Sequence, residues 1–179
     1  MPEIEIRAAV FIDLPVLATL DHSVETGYVW QMDRLIDNGH VMVNFRELRL
    51  PRKVRVEYPN PGIWETPGIL DQPGLLVAEM KGQPVGYVHV KSTQLPSTAW
   101  VKDLAVREDV RRKGIGTALV LAAQDWALKH GLRRMVIEMQ SKNFPSIQMA
   151  LKLGYEFSGY NDHYYANQDI ALFFACFLR

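Results

Sequence analysis

The stretch Leu104-Ala105-Val106-Arg107-Glu108-Asp109-Val110-Arg111-Arg112-Lys113-Gly114-Ile115-Gly116-Thr117 decides the fold of this chain. An apolar run ends at Val106, a basic loop follows, and two glycines lead directly into a new periodicity. From there Ile115, Leu119, Ala122, Ala123 and Trp126 form one apolar stripe at helical spacing, which stops at His130-Gly131. Arg134 to Gln140 then reads as a buried strand. Strand, turn, helix and strand between 98 and 140 make a βαβ crossover, so those two strands are expected to run parallel.

The turn has the makings of an anion site. A helix N-terminus presents free N–H groups and the positive end of its dipole. Gly114 and Gly116 let the backbone approach an anion with no Cβ in the way. Arg111, Arg112 and Lys113 add charge on the approach, and Thr117 adds a hydroxyl. Two common nucleotide loops do not fit. A P-loop carries lysine after its last glycine, whereas Lys113 precedes both; a dinucleotide fingerprint needs a third glycine where Leu119 stands. What remains is Arg-x-x-Gly-x-Gly.

Upstream, Ile4 to Val10 reads as a strand, and Asp13-Leu14-Pro15 offers an N-cap and a first-turn proline for a helix reaching about Asp21. A second helix is expected over roughly Glu25 to Asn38, stopped by Gly39. Residues 40–49 and 52–58 read as two strands broken at Pro51, and the proline-rich run Pro59 to Pro73 as a loop. Leu75 to Met80 and Pro84 to Ser92 flank Lys81-Gly82-Gln83 as a hairpin, followed by a strand from about Thr98 to Val106. Asn143 caps a short helix ended by Gly154, and two strands complete the chain. The predicted order is β-α-α-(β-β)-β-β-β-α-β-α-β-β, an α/β fold (α+β in its mixed sheet) with helices on the sheet faces.

A length of 179 residues with 48% apolar side chains fits a single domain over 1–179, with 40–73 as an extra hairpin and loop. Twenty basic residues balance twenty acidic ones, so neither nucleic acid nor a membrane surface gains an overall electrostatic attraction, and neither is an expected partner. The acidic opening Met1-Pro2-Glu3-Ile4-Glu5 has no apolar stretch behind it, so no secretory leader is expected. The longest apolar run, near 170–178, falls short of the roughly 20 residues that span a bilayer. The lone Cys176 sits in that run and reads as a small buried residue; without a partner it points to a reducing, cytoplasmic setting. His22, His40, His89, His130 and His163 are scattered without metal-ligand spacing, so they read as structural or exposed and no metal is expected.

With Leu104-Ala105-Val106 before it, the motif Arg111-x-x-Gly114-x-Gly116 closely resembles the coenzyme A motif of the GCN5-related N-acetyltransferase (GNAT) family. The resemblance covers nearly the whole chain. Ile6-Arg7-Ala8-Ala9 with Asp13-Leu14-Pro15 looks like the family's opening, and Asn143 to Ile147 with Leu153-Gly154-Tyr155 looks like its second cofactor segment. Gly27 to Met32, Lys102 to Val106, Ile137 to Gln140 and Asp169 to Phe173 resemble the streptothricin acetyltransferase branch. The resemblance implies acetyl-CoA as cosubstrate, held by Leu104, Ala105, Val106, the turn from Arg111 through Ile115 to Thr117, and Asn143, which also serves as a helix cap. It implies attack by a primary amine on the thioester carbonyl.

Such an amine must lose a proton, and the developing oxyanion needs a donor, here the backbone N–H near Val106. Glu138, five residues before Asn143, matches the spacing of a catalytic glutamate in the related ribosomal-protein alanine acetyltransferases; its other reading is a strand-end carboxylate bonded to a neighbour. Asp103 is the second candidate base, or a structural acceptor. The sequence departs from the family where the usual tyrosine acid would stand, at Ala150. Tyr160, Tyr164 and Tyr165 are the tyrosines available instead, or else packing residues, and Tyr165 is the choice carried forward. For the acceptor, Trp30, Phe45, Tyr58 and Trp64 with Asp33, Glu47, Glu57, Glu65 and Asp71 suit a cationic small-molecule amine. A peptide amine and a non-catalytic coenzyme A sensor stay open as alternatives. A homodimer through the strands at 40–58 or the apolar C-terminal strand is a further expectation.

Overall fold

A computed structural model describes residues 3–59, 64 and 68–179. The apolar run before the glycine turn is strand β6 (Thr98–Val106), the helical stripe is α2 (Ile115–Lys129), and the strand that follows is β7 (Arg134–Gln140). As the crossover requires, β6 and β7 run parallel. Around them lie β1 (Glu5–Ala8), the single turn α1 (Leu14–Leu17), β4 (Leu75–Met80), β5 (Gln83–Ser92), α3 (Phe144–Lys152), β8 (Glu156–Asn161) and β9 (Ala171–Phe177). One seven-stranded sheet has the order β1-β4-β5-β6-β7-β9-β8, and every pairing in it except β6–β7 is antiparallel. The expected mixed sheet with helices on its faces is the fold found.

Each face of the sheet has its own apolar core. On one side α2 buries Ile115, Leu119, Val120, Ala123 and Ala127, and α3 buries Ile147 and Ala150, against Val88, Val101, Ile137 and Phe174. On the other, Leu17 and Leu20 cover Leu75, Val77, Tyr87 and Ala105. The β4–β5 turn at Lys81-Gly82 has φ of 52° and 75°, the left-handed pair that a two-residue hairpin of this twist needs.

Four expectations are corrected. Residues 25–38 are not a helix. They are strand β2 (Val24–Asp37), paired along its length with β3 (His40–Val56) in a separate two-stranded ribbon. Val29, Met32, Leu35 and Ile36 mimic helical spacing, but Thr26, Tyr28, Val29 and Trp30 are β-formers and Asn38-Gly39 closes the ribbon with φ of 45° and 81°. Residues 40–56 form one strand instead of two, because Pro51 falls where the register slips between Thr26 and Tyr28 and no ladder hydrogen bond is required of it. The first helix ends at Leu17, since Thr19 Oγ1 donates to the Val16 carbonyl and Asp21 accepts from the Ser23 amide, each replacing a helical bond. Asp13 does not cap α1 with its side chain; its carboxylate accepts from Val10 N–H, closing the 3-10 turn Phe11–Asp13, and is gripped at both oxygens by Arg7.

The ribbon is fastened by aromatic packing. Trp30 contacts Phe45, Phe157 and Phe174, Phe45 lies edge-on to Tyr160, and Trp30 N–H donates to the Ser141 carbonyl. The apolar C-terminal strand β9 lies between β7 and β8, paired along its length with β7 and over Ala171 to Ala175 with β8.

Candidate active site

The site begins with an irregularity in β6. Asp103 pairs with His89 and Val101 with Val90, so Lys102 has no opposite number on β5. Such a bulge increases local twist and re-aims side chains. Pairing of β6 with β7 runs from Thr98↔Arg134 to Val101↔Ile137 and goes no further. Beyond it, β6 follows β5 to Val106 while β7 follows β9 to Gln140, and the sheet splits open. A cleft of ≈ 790 Å³ occupies the split. Arg107 N–H donates to the Val85 carbonyl, so by antiparallel alternation the amides of Leu104 and Val106 point away from β5, into the gap.

One end of the cleft is the glycine turn. Arg112 and Gly114 take left-handed φ of 65° and 86°, folding the loop so that α2 opens onto the cleft. Arg112, Gly114, Ile115, Gly116 and Thr117 all line it. A Cβ on Gly116 would make only ordinary contact with Met149 Sδ at 3.5 Å. Asn143 lines the same cleft, and its side-chain oxygen caps α3 by accepting from Ser146 N–H at 3.2 Å, which leaves the NH₂ group for a ligand. These features fit the pyrophosphate and amide-bearing arm of acetyl-CoA: uncapped helix amides, cationic Arg112 and Lys152, and an unpaired strand edge. Two predicted members stand differently. Lys113 lies outside the cleft with Nζ 3.3 Å from the Asp109 carbonyl. Arg111 turns its guanidinium onto the carbonyls of Val106, Ser23 and Asp21, bracing the loop.

The other end holds the candidate catalytic groups. The Glu138 side chain is only 3% exposed, and its Oε2 accepts from Trp100 Nε1 at 2.9 Å, Lys102 Nζ, and Tyr164 Oη at 3.3 Å. Tyr165 lines the cleft, and burial together with the Glu138 charge pushes its phenol well above the usual range. Asp103 is also buried; its Oδ2 accepts from Tyr87 Oη at 2.5 Å, while Oδ1 has no hydrogen-bond partner among the described residues. Burial raises its pKa, and Tyr87, His22 and Tyr58 pull the other way.

The split thus brings Glu138, Asp103 and Tyr165 to one cleft with the cofactor turn. It does not bring Ala150, which is fully buried in the core. Tyr160 is packing for Phe45. Trp30 and Phe45, expected to receive an acceptor, instead fasten the ribbon. Asp33 pairs with Arg46, Glu57 with Arg55, and Glu65 lies outside the described residues. Among the described residues of that group only Tyr58 lines the cleft, while Trp64 packs edge-on against Tyr87. Sequence reading missed His22 and Tyr87. His22 lines the cleft, stacks on Tyr58 and meets Tyr87 Oη at 2.7 Å, and no local spacing marks a residue that acts across 65 positions. Cys176 is half-buried in the core, and burial raises its thiol pKa, as suits a packing residue.

Known proteins share this fold. A nourseothricin acetyltransferase structure superposes with a TM-score of 0.82 at 21% identity, covering 98% of this chain and 99% of that one. A Bacillus anthracis protein described as a streptothricin acetyltransferase, solved with acetyl coenzyme A, gives 0.75 at 18% identity over 98% and 99%. In sequence, an N-alpha-acetyltransferase of Sulfurisphaera tokodaii is 34% identical over 111 residues, a match that spans 55% of this chain and 66% of that relative. No helix among the described residues is long and apolar enough to cross a membrane. The family model described as the acetyltransferase (GNAT) family matches residues 42–155, from the ribbon through the split and the glycine turn to the end of α3, and by that match the chain belongs to this family.

Proposed function

We propose that this protein transfers the acetyl group of acetyl-CoA to a primary amine of a small molecule. The observation that carries the reading is the split between β6 and β7, which joins an amide-lined anion site to two buried carboxylates in one cleft. The thioester supplies an activated carbonyl when bound, and the rest falls to this chain's residues. The amides at the α2 N-terminus with Arg112 would hold the pyrophosphate, and the free amides of Leu104 and Val106 would align the arm and meet the oxyanion. Glu138 and Asp103 give the acceptor end a negative lining that attracts an alkylammonium group.

Tyr58, Pro59 and Tyr165 line the cleft with these carboxylates, and aromatic rings beside acidic groups suit a compact cationic amine. A second reading, acetylation of a peptide N-terminus, draws on the Sulfurisphaera relative. One experiment separates the two: release of free thiol from acetyl-CoA with small di- and polyamines, streptothricin-type antibiotics, and N-terminal peptides as acceptors. Turnover confined to small amines is the expected result, and turnover confined to peptides reverses it. Acetyl-CoA binding with no turnover by any acceptor would indicate a sensor.

A further inference from the structure

Within this cleft the hydrogen bonds at Asp103 have a direction. Tyr87 Oη carries one proton and gives it to Asp103 Oδ2 at 2.5 Å. The contact of 2.7 Å between Tyr87 Oη and His22 Nε2 therefore needs its proton from the imidazole, which assigns His22 as the Nε2–H donor. The sequence of donors is His22 to Tyr87 to Asp103, and it ends on a carboxylate whose second oxygen has no partner among the described residues. A buried polar atom left open in this way calls for an explanation. Arg111 strengthens the pattern by donating to the carbonyls of Asp21 and Ser23, the residues on either side of His22. The loop that carries the cofactor amides thus also fixes the first donor of the chain. Glu138 differs in having a cationic partner: its Oε2 accepts from Lys102 Nζ as well as from Trp100 and Tyr164, while its Oε1 likewise accepts no hydrogen bond among the described residues.

We infer that Asp103 Oδ1 is the base that takes the acceptor's proton, and that Tyr87 and His22 are positioning residues which hold Oδ2 and leave Oδ1 open. This rests on the acetyl-transfer reading above. The alkylammonium gives one proton to Asp103 Oδ1 and attacks with the lone pair so released. The C–N bond forms as the C–S bond breaks, and the amine's second proton leaves with sulfur as the free thiol. The third stays on the amide nitrogen, and Asp103 returns its proton to solvent in the cleft. Glu138 is left to attract and orient the incoming cation.

The ionisable groups around Asp103 are Tyr87 and His89 from β5, His22 and Asp21 from the segment after α1, and Tyr58 after β3. Lys102 precedes Asp103 on β6, and Glu138 of β7 and Tyr165 line the same cleft. Burial pushes His89 down to about 4, so it stays neutral through the working range. A base must be ionised, and burial raises the Asp103 pKa, so kcat/KM is expected to climb with pH along a limb set by this group. Tyr87→Phe removes a donor to the ionised form and moves that limb to higher pH.

The test combines turnover, using whichever amine the acceptor screen returns, with an acceptor-free titration of the Asp103 carboxyl by ¹³C NMR. Asp103→Asn is expected to lose about 10³-fold in kcat/KM while still binding acetyl-CoA. Tyr87→Phe should lose about tenfold, the loss of one hydrogen bond to a charged group, and His22→Leu about fivefold, the loss of one to the neutral Tyr87 hydroxyl; both should raise the Asp103 titration. His22→Gln, which keeps an N–H donor, should recover most of the His22→Leu loss. Full activity in Asp103→Asn beside a dead Glu138→Gln would overturn the assignment and leave acetyl transfer intact. An Asp103 titration unmoved by Tyr87→Phe would overturn the donor chain. Acetyl-CoA binding without turnover in the parent overturns the base role together with the functional reading, and the titration then judges the chain by itself.

Discussion

Asp103 and Asp13 are both buried carboxylates, and their surroundings give them opposite behaviour. Asp13 meets Arg7 at both oxygens, at 2.7 and 2.9 Å, and this pairing holds its pKa below the usual range. Its folded pKa lies below its unfolded one, so the pair adds stability above the unfolded value and loses it as pH falls through the folded value. Asp13→Asn is expected to cost about 2 kcal/mol at neutral pH, with the difference from the parent shrinking in strong acid. Urea unfolding at the two pH values checks this; an equal penalty at both would count against it. Asp103 has the reverse sign. Its pKa is raised, so the folded state binds the proton more tightly than the unfolded chain does, and stability falls as pH rises past the unfolded value. Asp103→Asn should therefore raise the melting temperature at neutral pH by about 2–4 °C, an increment of ~1 kcal/mol, while removing activity. A drop in melting temperature would indicate a structural carboxylate.

Among the elements, the β2–β3 ribbon depends on one side chain more than on its own ladder. A two-stranded ribbon is marginal in water unless it packs on something. Trp30 supplies that contact by wedging among Phe45, Phe157 and Phe174. Trp30→Ala is expected to cost about 3 kcal/mol and to expose the amides of β2 and β3 to hydrogen exchange ahead of the main sheet. Uniform exchange across both sheets would refute the anchoring role. The same ribbon shows what periodicity misses. Met32, Leu35 and Ile36 satisfy a helical template, but Leu35 and Ile36 are exposed, so their spacing records no buried face. The informative signal was Asn38-Gly39, a hairpin turn that also serves as a helix stop when its first partner strand is mistaken for a helix. By contrast β4, β5, β6, α2, β7 and α3 were legible, because glycine turns, caps and one consistent period coincide there.

Across the whole molecule, the cleft links elements from both halves of the chain, so a ligand bound there should stabilise all of it. At a concentration 100 times its Kd, acetyl-CoA is expected to add about 2.7 kcal/mol and raise the melting temperature by about 5–10 °C. Gly114→Val places a branched side chain at φ of 86° and should abolish that shift. An undiminished shift in this variant would move the cofactor site elsewhere. The sequence alone determined the crossover at 98–140 and the turn at 111–117, because each is written in neighbouring residues: glycines at fixed spacing, a helix stripe, a strand on either side. The tertiary structure decided what stands opposite that turn. Lys102 becomes a bulge only against β5, the split exists only because β6 and β7 follow different partners, and His22, Tyr87 and Asp103 meet only once α1, β5 and β6 are packed. Contacts between residues 16 and 65 positions apart depend on register and layer packing, and no local pattern encodes either.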